Sequence, residues 1–215
     1  LLAIDRAGIV GADGETHQGI YDISFLRILP KIVLMTPSDE LEMWKMLSTG
    51  QKYKGLAAVR YPRGYSQGED INLDNTTIEI GKSRIIQKGS KIAYLVFGTL
   101  LNAVKKVAKK NGGTIVDMRF VKPIDENMII DICNTHDYIF TVEDNVILGG
   151  AGTAVNEVMS KYSLKNNLIN IGVPDKIIPH GSQDEILSEL GLDELGIEKI
   201  TNDHIHNMVE ISSKK

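Results

Sequence analysis

The sequence predicts an α/β protein with a three-layer α/β/α arrangement. Three observations predict it. Short apolar runs of strand length recur at residues 1–4, 31–35, 56–61, 91–97, 114–118, 138–142 and 168–171. Segments of helical periodicity alternate with them, as a sheet of parallel strands with helices on both faces requires. Glycine-rich loops follow the first strand and precede a later helix, and open α/β sheets bind ligands in such loops.

The elements follow in order. Residues 39–49 read as a helix. Thr36-Pro37-Ser38-Asp39 supplies its start signal, and Gly50 reads as its stop. Leu41, Trp44, Leu47 and Ser48 fall on one face and predict a core stripe. Residues 65–76 (YSQGEDINLDNT) are polar and rich in turn formers, so they read as a linker between domains at 1–64 and 77–215. In the second domain, 77–87 predicts one or two edge strands, and 91–97 is rich in β-branched and aromatic residues. A helix at 99–110 carries Leu100, Val104, Val107 and Ala108 on one side and closes at Gly112-Gly113. Asp125 caps a helix at 126–135, a helix at 151–161 follows a glycine-rich loop, and helices at 183–190 and 197–211 end the chain.

Composition narrows the function. The chain has 215 residues, 42% hydrophobic and 24% charged, which is ordinary for a globular protein. A net charge of -4 argues against nucleic acid as a partner. The pairs Lys105-Lys106 and Lys109-Lys110 read as solvated helix faces. Cys133 is the single cysteine, so an internal disulfide is impossible and a reducing compartment is the simplest setting. It lies in an apolar run and reads as a small buried hydrophobe, not a nucleophile. No apolar run reaches about 18 residues, so no membrane span is expected. No Cys/His cluster has zinc spacing, and His204 and His206, two apart on a predicted helix, do not share a face. No metal ligand is therefore assigned. The chain opens mid-pattern at Leu1 without a Met, which predicts further chain upstream. A cytoplasmic bacterial setting is expected, and import into a plastid-type organelle stays open.

Three segments concentrate unusual chemistry. Residues 5–19 (DRAGIVGADGETHQG) follow the first strand directly. Arg6 suits bidentate recognition of phosphate or carboxylate, Asp13 is a carboxylate, and His17 can move protons near neutral pH. A carboxylate beside an imidazole can orient it. The same glycines could instead build a tight surface loop, with Asp5 and Arg6 as a salt bridge. The spacing Gly8, Gly11, Gly14 is not a dinucleotide fingerprint, and no P-loop Lys follows. Second, VRYPRG (59–64) displays Arg63 in a turn at a strand end, as a phosphate ligand or as a solvated linker residue. Third, 143–152 (EDNVILGGAG) places glycines before a helix N-terminus, for an anion or for close packing of backbone on a neighbouring subunit.

These blocks carry a resemblance. DRAGIVGADGETHQG with YDISFLR (21–27) is similar to the transketolase-type pyrimidine domain of 1-deoxy-D-xylulose-5-phosphate synthases. So are MTPSDE (35–40), VRYPRG, VDMRFVKPID (116–125) and GGAG (149–152), in the same order along nearly the whole chain. The resemblance implies the end of a transketolase-type pyrimidine-binding domain followed by a transketolase C-terminal domain. It implies thiamine-diphosphate-dependent condensation of pyruvate with glyceraldehyde 3-phosphate, with release of carbon dioxide, feeding isoprenoid, thiamine and pyridoxal synthesis. By the resemblance, Arg6 and Arg63 hold the aldehyde's phosphate, His17 moves a proton, and Asp13 hydrogen-bonds a substrate hydroxyl. It also implies a homodimer.

The family's Gly-Asp-Gly…Asn motif for magnesium and diphosphate is absent. The glutamate that activates the aminopyrimidine and the aromatic that stacks on it are expected upstream of Leu1. Cofactor-binding residues are thus unassigned here, and the chain alone is expected to turn nothing over. Two rivals remain at this stage. One is another thiamine-diphosphate enzyme, a transketolase or a pyruvate dehydrogenase β-type subunit. The other is a non-catalytic dimerisation module.

Overall fold

The computed structural model describes residues 1–64 and 76–213, and the predicted linker lies outside them apart from Thr76. Two sheets form the frame. The first has the order β1-β3-β2-β7, with β1 (Leu2–Ile4), β3 (Ala57–Arg60) and β2 (Val33–Met35) parallel and β7 (Phe120–Lys122) at its edge. The second has the order β4-β6-β5-β8-β9. In it β6 (Thr114–Asp117), β5 (Lys91–Phe97), β8 (His136–Val146) and β9 (Asn167–Val173) are parallel, and β4 (Arg84–Gln87) is an antiparallel edge.

Strand alternation builds the layers. On β5, Ile92, Tyr94 and Val96 enter a core shared with α3 (Leu101–Asn111), α6 (Gln183–Glu189) and α7 (Glu194–Ser213). Ala93, Leu95 and Phe97 point the other way, to a core shared with α4 (Glu126–Thr135) and α5 (Ala151–Lys161). The first sheet repeats the device. Val33, Met35, Ala57 and Val59 pack under α2 (Glu40–Lys52), while Leu34 and Ala58 join the core that holds α4 and α5. One apolar core therefore fuses the two sheets.

The caps behave as the residue types dictate. Asp39 accepts the Glu42 N–H at 2.7 Å and starts α2, and Asp125 accepts the Met128 N–H at 3.3 Å to start α4. Gly112 closes α3 in the left-handed conformation. Cys133 is buried, and burial pushes its thiol up to about 11.

Several expectations need correction. Helix α2 does not stop at Gly50 but runs to Lys52. Gly50 is buried inside the helix, where a Cβ would meet the tip of the Leu1 side chain at 2.6 Å. The inward face of α2 is Glu42 and Met46 with Ser48 and Thr49, while Leu41 and Trp44 are only half-buried. The reason is electrostatic. Glu42 is drawn inside by Arg84, 2.9 Å away, and by Arg119, whose Nη2 donates to it at 3.0 Å. Arg84 Nε also donates to buried Asp117 at 2.9 Å, so a charged seam joins α2 to the second sheet. Two elements escaped sequence reading. They are α1 (Asp22–Leu26) and β7 (Phe120–Lys122), which lies beyond the linker yet pairs antiparallel with β2 of the first sheet.

Candidate active site at the end of the first sheet

Strands β1 and β3 run parallel and end side by side, with Ile4 opposite Arg60. Their ends deliver the loop 5–19 and the 61–64 turn to one place. The Ala7 N–H donates to the Tyr61 carbonyl at 2.9 Å, and the Tyr61 N–H to that of Ile4 at 2.9 Å.

The loop has a neck and a cradle. Gly8 and Gly19 exchange both backbone hydrogen bonds, at 2.7 and 3.0 Å. Gly8 has φ of 77°, and a Cβ on Gly19 would overlap the Arg6 carbonyl oxygen, so both positions need glycine. Inside the neck, Gln18 Oε1 accepts the Val10 N–H at 2.8 Å. Outside it, Gln183 from the start of α6 donates to the Ile9 carbonyl at 2.7 Å. Residues 15–17 then form a single 3₁₀ turn.

Three of the four sequence-predicted residues meet. Arg6 Nε donates to Asp13 Oδ2 at 3.2 Å, and Arg63 Nη1 donates to Asp13 Oδ1. Arg6 also pairs with solvent-facing Asp5 at 2.9 Å. The hydrogen bond from Arg63 holds the Asp13 carboxyl below its ordinary value, slight burial opposes it, and Arg6 adds to the lowering. Two guanidinium forks thus converge on one carboxylate. Two guanidinium forks so arranged can also pair with the oxygens of a phosphate monoester. Arg6 adopts φ of 56°, left-handed backbone uncommon for a side-chain-bearing residue. His17 lies on the same loop, exposed, but its ring hydrogen-bonds Thr16 Oγ1 at 3.0 Å rather than Asp13. The carboxylate–imidazole pairing read from the sequence is therefore not formed.

Sequence reading missed a second, buried cluster behind the first. Arg60 donates twice to Asp22, at 2.6 and 3.1 Å, once to the Gly19 carbonyl at 3.0 Å, and once to Asp144. Burial pulls its pKa down, but the charges of Asp144 and Asp22 raise it above the ordinary value, so it stays protonated. Next to it, Glu143 is fully buried and accepts the Ala151 and Gly152 N–H groups, both at 2.7 Å. The N-terminal N–H groups of α5 are thereby taken by the chain's own Glu143 carboxyl, which leaves them unavailable to an outside anion. The available signal was VRYPRG itself, which has two arginines where only Arg63 was singled out.

This donor set fits a phosphate monoester. It does not fit magnesium diphosphate: among the described residues no group of three or more His, Cys, Asp or Glu could hold a metal ion. Nor is any helix among them long and apolar enough to cross a membrane.

The chain is similar to known proteins along most of its length. Residues 81–197 match the family described as transketolase, C-terminal domain, and residues 1–67 match transketolase, pyrimidine binding domain. A 1-deoxy-D-xylulose-5-phosphate synthase from Vibrio campbellii is 51% identical over 205 residues, which is 95% of this chain and 33% of that protein. One from Pasteurella multocida is 56% identical over 198 residues, 92% of this chain and 32% of that protein. The chain spans about a third of the length of the curated relatives it matches. Among solved structures, a split-gene transketolase described as an inactive beta4 tetramer superposes with a TM-score of 0.82 at 22% identity. It covers 94% of this chain and 65% of that one. Transketolase from Campylobacter jejuni gives 0.68 at 16% identity, over 94% and 31%. These two likenesses concern the fold.

Proposed function

This chain belongs to the transketolase family, and from that premise we propose that the full-length protein condenses pyruvate with glyceraldehyde 3-phosphate. Carbon dioxide leaves, and the product is 1-deoxy-D-xylulose 5-phosphate. The observation that carries the reading is the convergence of Arg6 and Arg63 on one anionic position at the end of the first sheet. The names of relatives about half identical to the chain support the choice of reaction.

In this reading the phosphate takes both forks and displaces Asp13, which then accepts a hydrogen bond from a substrate hydroxyl. His17, exposed above the cradle, gives a proton to the aldehyde oxygen as it becomes an alcohol. Thiamine diphosphate, with Mg2+, would supply the electron sink for decarboxylation. The described residues do not form its diphosphate site, so those ligands are expected elsewhere in the full-length protein. The isolated chain would accordingly be inactive. We further propose a homodimer. Tyr21, Phe25 and Ile28 recur along one face of α1 and the turn after it, and each is 49 to 73% exposed. Leu148, 63% exposed, joins them because Ser24 Oγ donates to its carbonyl at 2.8 Å. A second copy would cover this patch, in a bacterial cytoplasm.

The test is carbon dioxide release from pyruvate by the full-length protein with thiamine diphosphate and magnesium. Release that rises with glyceraldehyde 3-phosphate, with a five-carbon ketose phosphate as product, is the expected result. No release from folded, cofactor-bound protein would overturn it in favour of a ketose donor. Arg63→Ala should raise KM for glyceraldehyde 3-phosphate about 10- to 100-fold, the scale of a charge-assisted hydrogen bond. An unchanged KM would remove Arg63 from phosphate binding.

A further inference from the structure

Arg60 stands three residues before Arg63, yet its side chain is 2% exposed against 55% for Arg63. It cannot touch a ligand as it lies, but its four hydrogen bonds end on the parts that shape the substrate loop. Gly19 is one side of the loop's neck, and Asp22 starts α1 just beyond it. Asp144 comes from the second sheet, at the end of β8. Its Oδ1 receives Arg60, while its Oδ2 accepts Thr99 Oγ1 at 3.3 Å. Oδ2 also lies 2.6 Å from where a Gly8 Cβ would be. One carboxylate therefore bears on both sides of the neck, on Gly8 by packing and on Gly19 through Arg60.

The neighbours of Asp144 continue the contact. The Val146 N–H donates to the Ile20 carbonyl at 2.8 Å, and Asn145 Nδ2 donates to Ser24 Oγ at 3.0 Å. The end of β8 is thus laid along residues 19–24. Arg6 sits two residues outside the neck, and Arg63 three residues beyond Arg60. Arg60 thus ties together the two backbone segments that carry the two forks. Stability alone is a poor reason for such a network, because desolvation cancels most of what a buried ion pair gains. Fixed geometry is the better reason.

We propose that Asp144 of the C-terminal domain is a positioning residue that sets, through Arg60 and the Gly8–Gly19 neck, the spacing at which Arg6 and Arg63 meet the substrate phosphate. This rests on the reading that those two arginines bind that phosphate.

The test is steady-state kinetics of the full-length enzyme carrying Asp144→Asn, with its thermal midpoint measured alongside. KM for glyceraldehyde 3-phosphate should rise about tenfold, the scale of one hydrogen bond lost to the phosphate, while KM for pyruvate stays unchanged. A lower thermal midpoint with an unchanged KM for the aldehyde would overturn the proposal, because a structural role alone predicts that pattern. Should Asp144→Asn not fold, Thr99→Val removes only one hydrogen bond to the same carboxylate. It should raise the same KM about twofold, and an unchanged KM there is equally contrary. Arg63→Ala separates the two claims. If it raises KM and Asp144→Asn does not, only the positioning role fails. If Arg63→Ala leaves KM unchanged, the phosphate reading fails and the proposal falls with it.

Discussion

Two arginine clusters grow from the end of β3, and they are built in opposite senses. Outside, Arg6 and Arg63 meet on the carboxylate of Asp13, Arg6 also pairs with exposed Asp5, and both guanidiniums are about half exposed. Inside, the single guanidinium of Arg60 holds two carboxylates, Asp22 and Asp144, with almost no exposure. Water screens the outer cluster, so exchanging one anion for another there costs little. The inner cluster has no water to take over, so its partners cannot be exchanged. Half-exposed cations, whose partners water can replace, make a receptor for an anion. Carboxylates in excess around a buried cation make a fixed joint.

The comparison breaks hardest at Arg60. Arg60→Ala leaves Asp22 and Asp144 buried without their cation, which should cost about 3–5 kcal/mol. In the full-length protein this reads as a large fall in thermal midpoint. Arg63→Ala, three residues away, should leave the midpoint almost unchanged. Similar midpoints for the two variants would mean that the inner cluster is no joint.

Acidity sharpens the contrast next. Burial pushes the Glu143 carboxyl up to about 8, against the N–H groups of Gly152 and Ala151 and the charge of Arg60. Between its ordinary 4.5 and about 8, the folded protein keeps a proton that the unfolded chain has released. The stability this group contributes is full below that window and is lost as pH rises through it. Asp13 has the opposite sign. Its carboxyl is lowered, so its contribution is present above its ordinary 3.8 and is lost on acidification. Glu143→Gln should therefore flatten the fall of thermal midpoint between pH 4.5 and 8. The absolute midpoint should drop, because an amide cannot accept both helix N–H groups. A slope equal to that of the wild type would show that Glu143 is ionised throughout.

The outer cluster was legible in the sequence and the inner one was not. Glycines after a strand, with Arg6, Asp13 and His17 among them, announce a loop by composition. Arg63 between proline and glycine announces a turn. Nothing local distinguishes Arg60 from a solvated arginine, because its partners lie 38 and 84 positions away in sequence. The same holds for Glu42. Periodicity puts apolar Leu41 and Trp44 inside, but the long-range pull of Arg84 and Arg119 turns Glu42 inward instead. Strand β7 was hidden for a related reason. It is only 3 residues long and is defined by β2, across the linker. Propensity reports local preference, and each of these features is a long-range decision. The second sheet, whose strands carry their own hydrophobic alternation, was read almost completely.

The finest test of the comparison lies at Asp13, where a carboxylate occupies the position assigned to a phosphate. If it competes with the ligand, Asp13→Asn frees both forks and should strengthen competitive inhibition by inorganic phosphate about two- to fivefold, the scale of a screened surface pair. The thermal midpoint should fall only slightly, since water replaces most of what the exposed partners supply. Turnover should still fall, because the amide gives the substrate hydroxyl a weaker acceptor. Weaker phosphate inhibition would invert the argument. It would mean that Asp13 holds Arg6 and Arg63 apart at the right distance, so that the outer cluster, like the inner one, is tuned by its carboxylate rather than blocked by it.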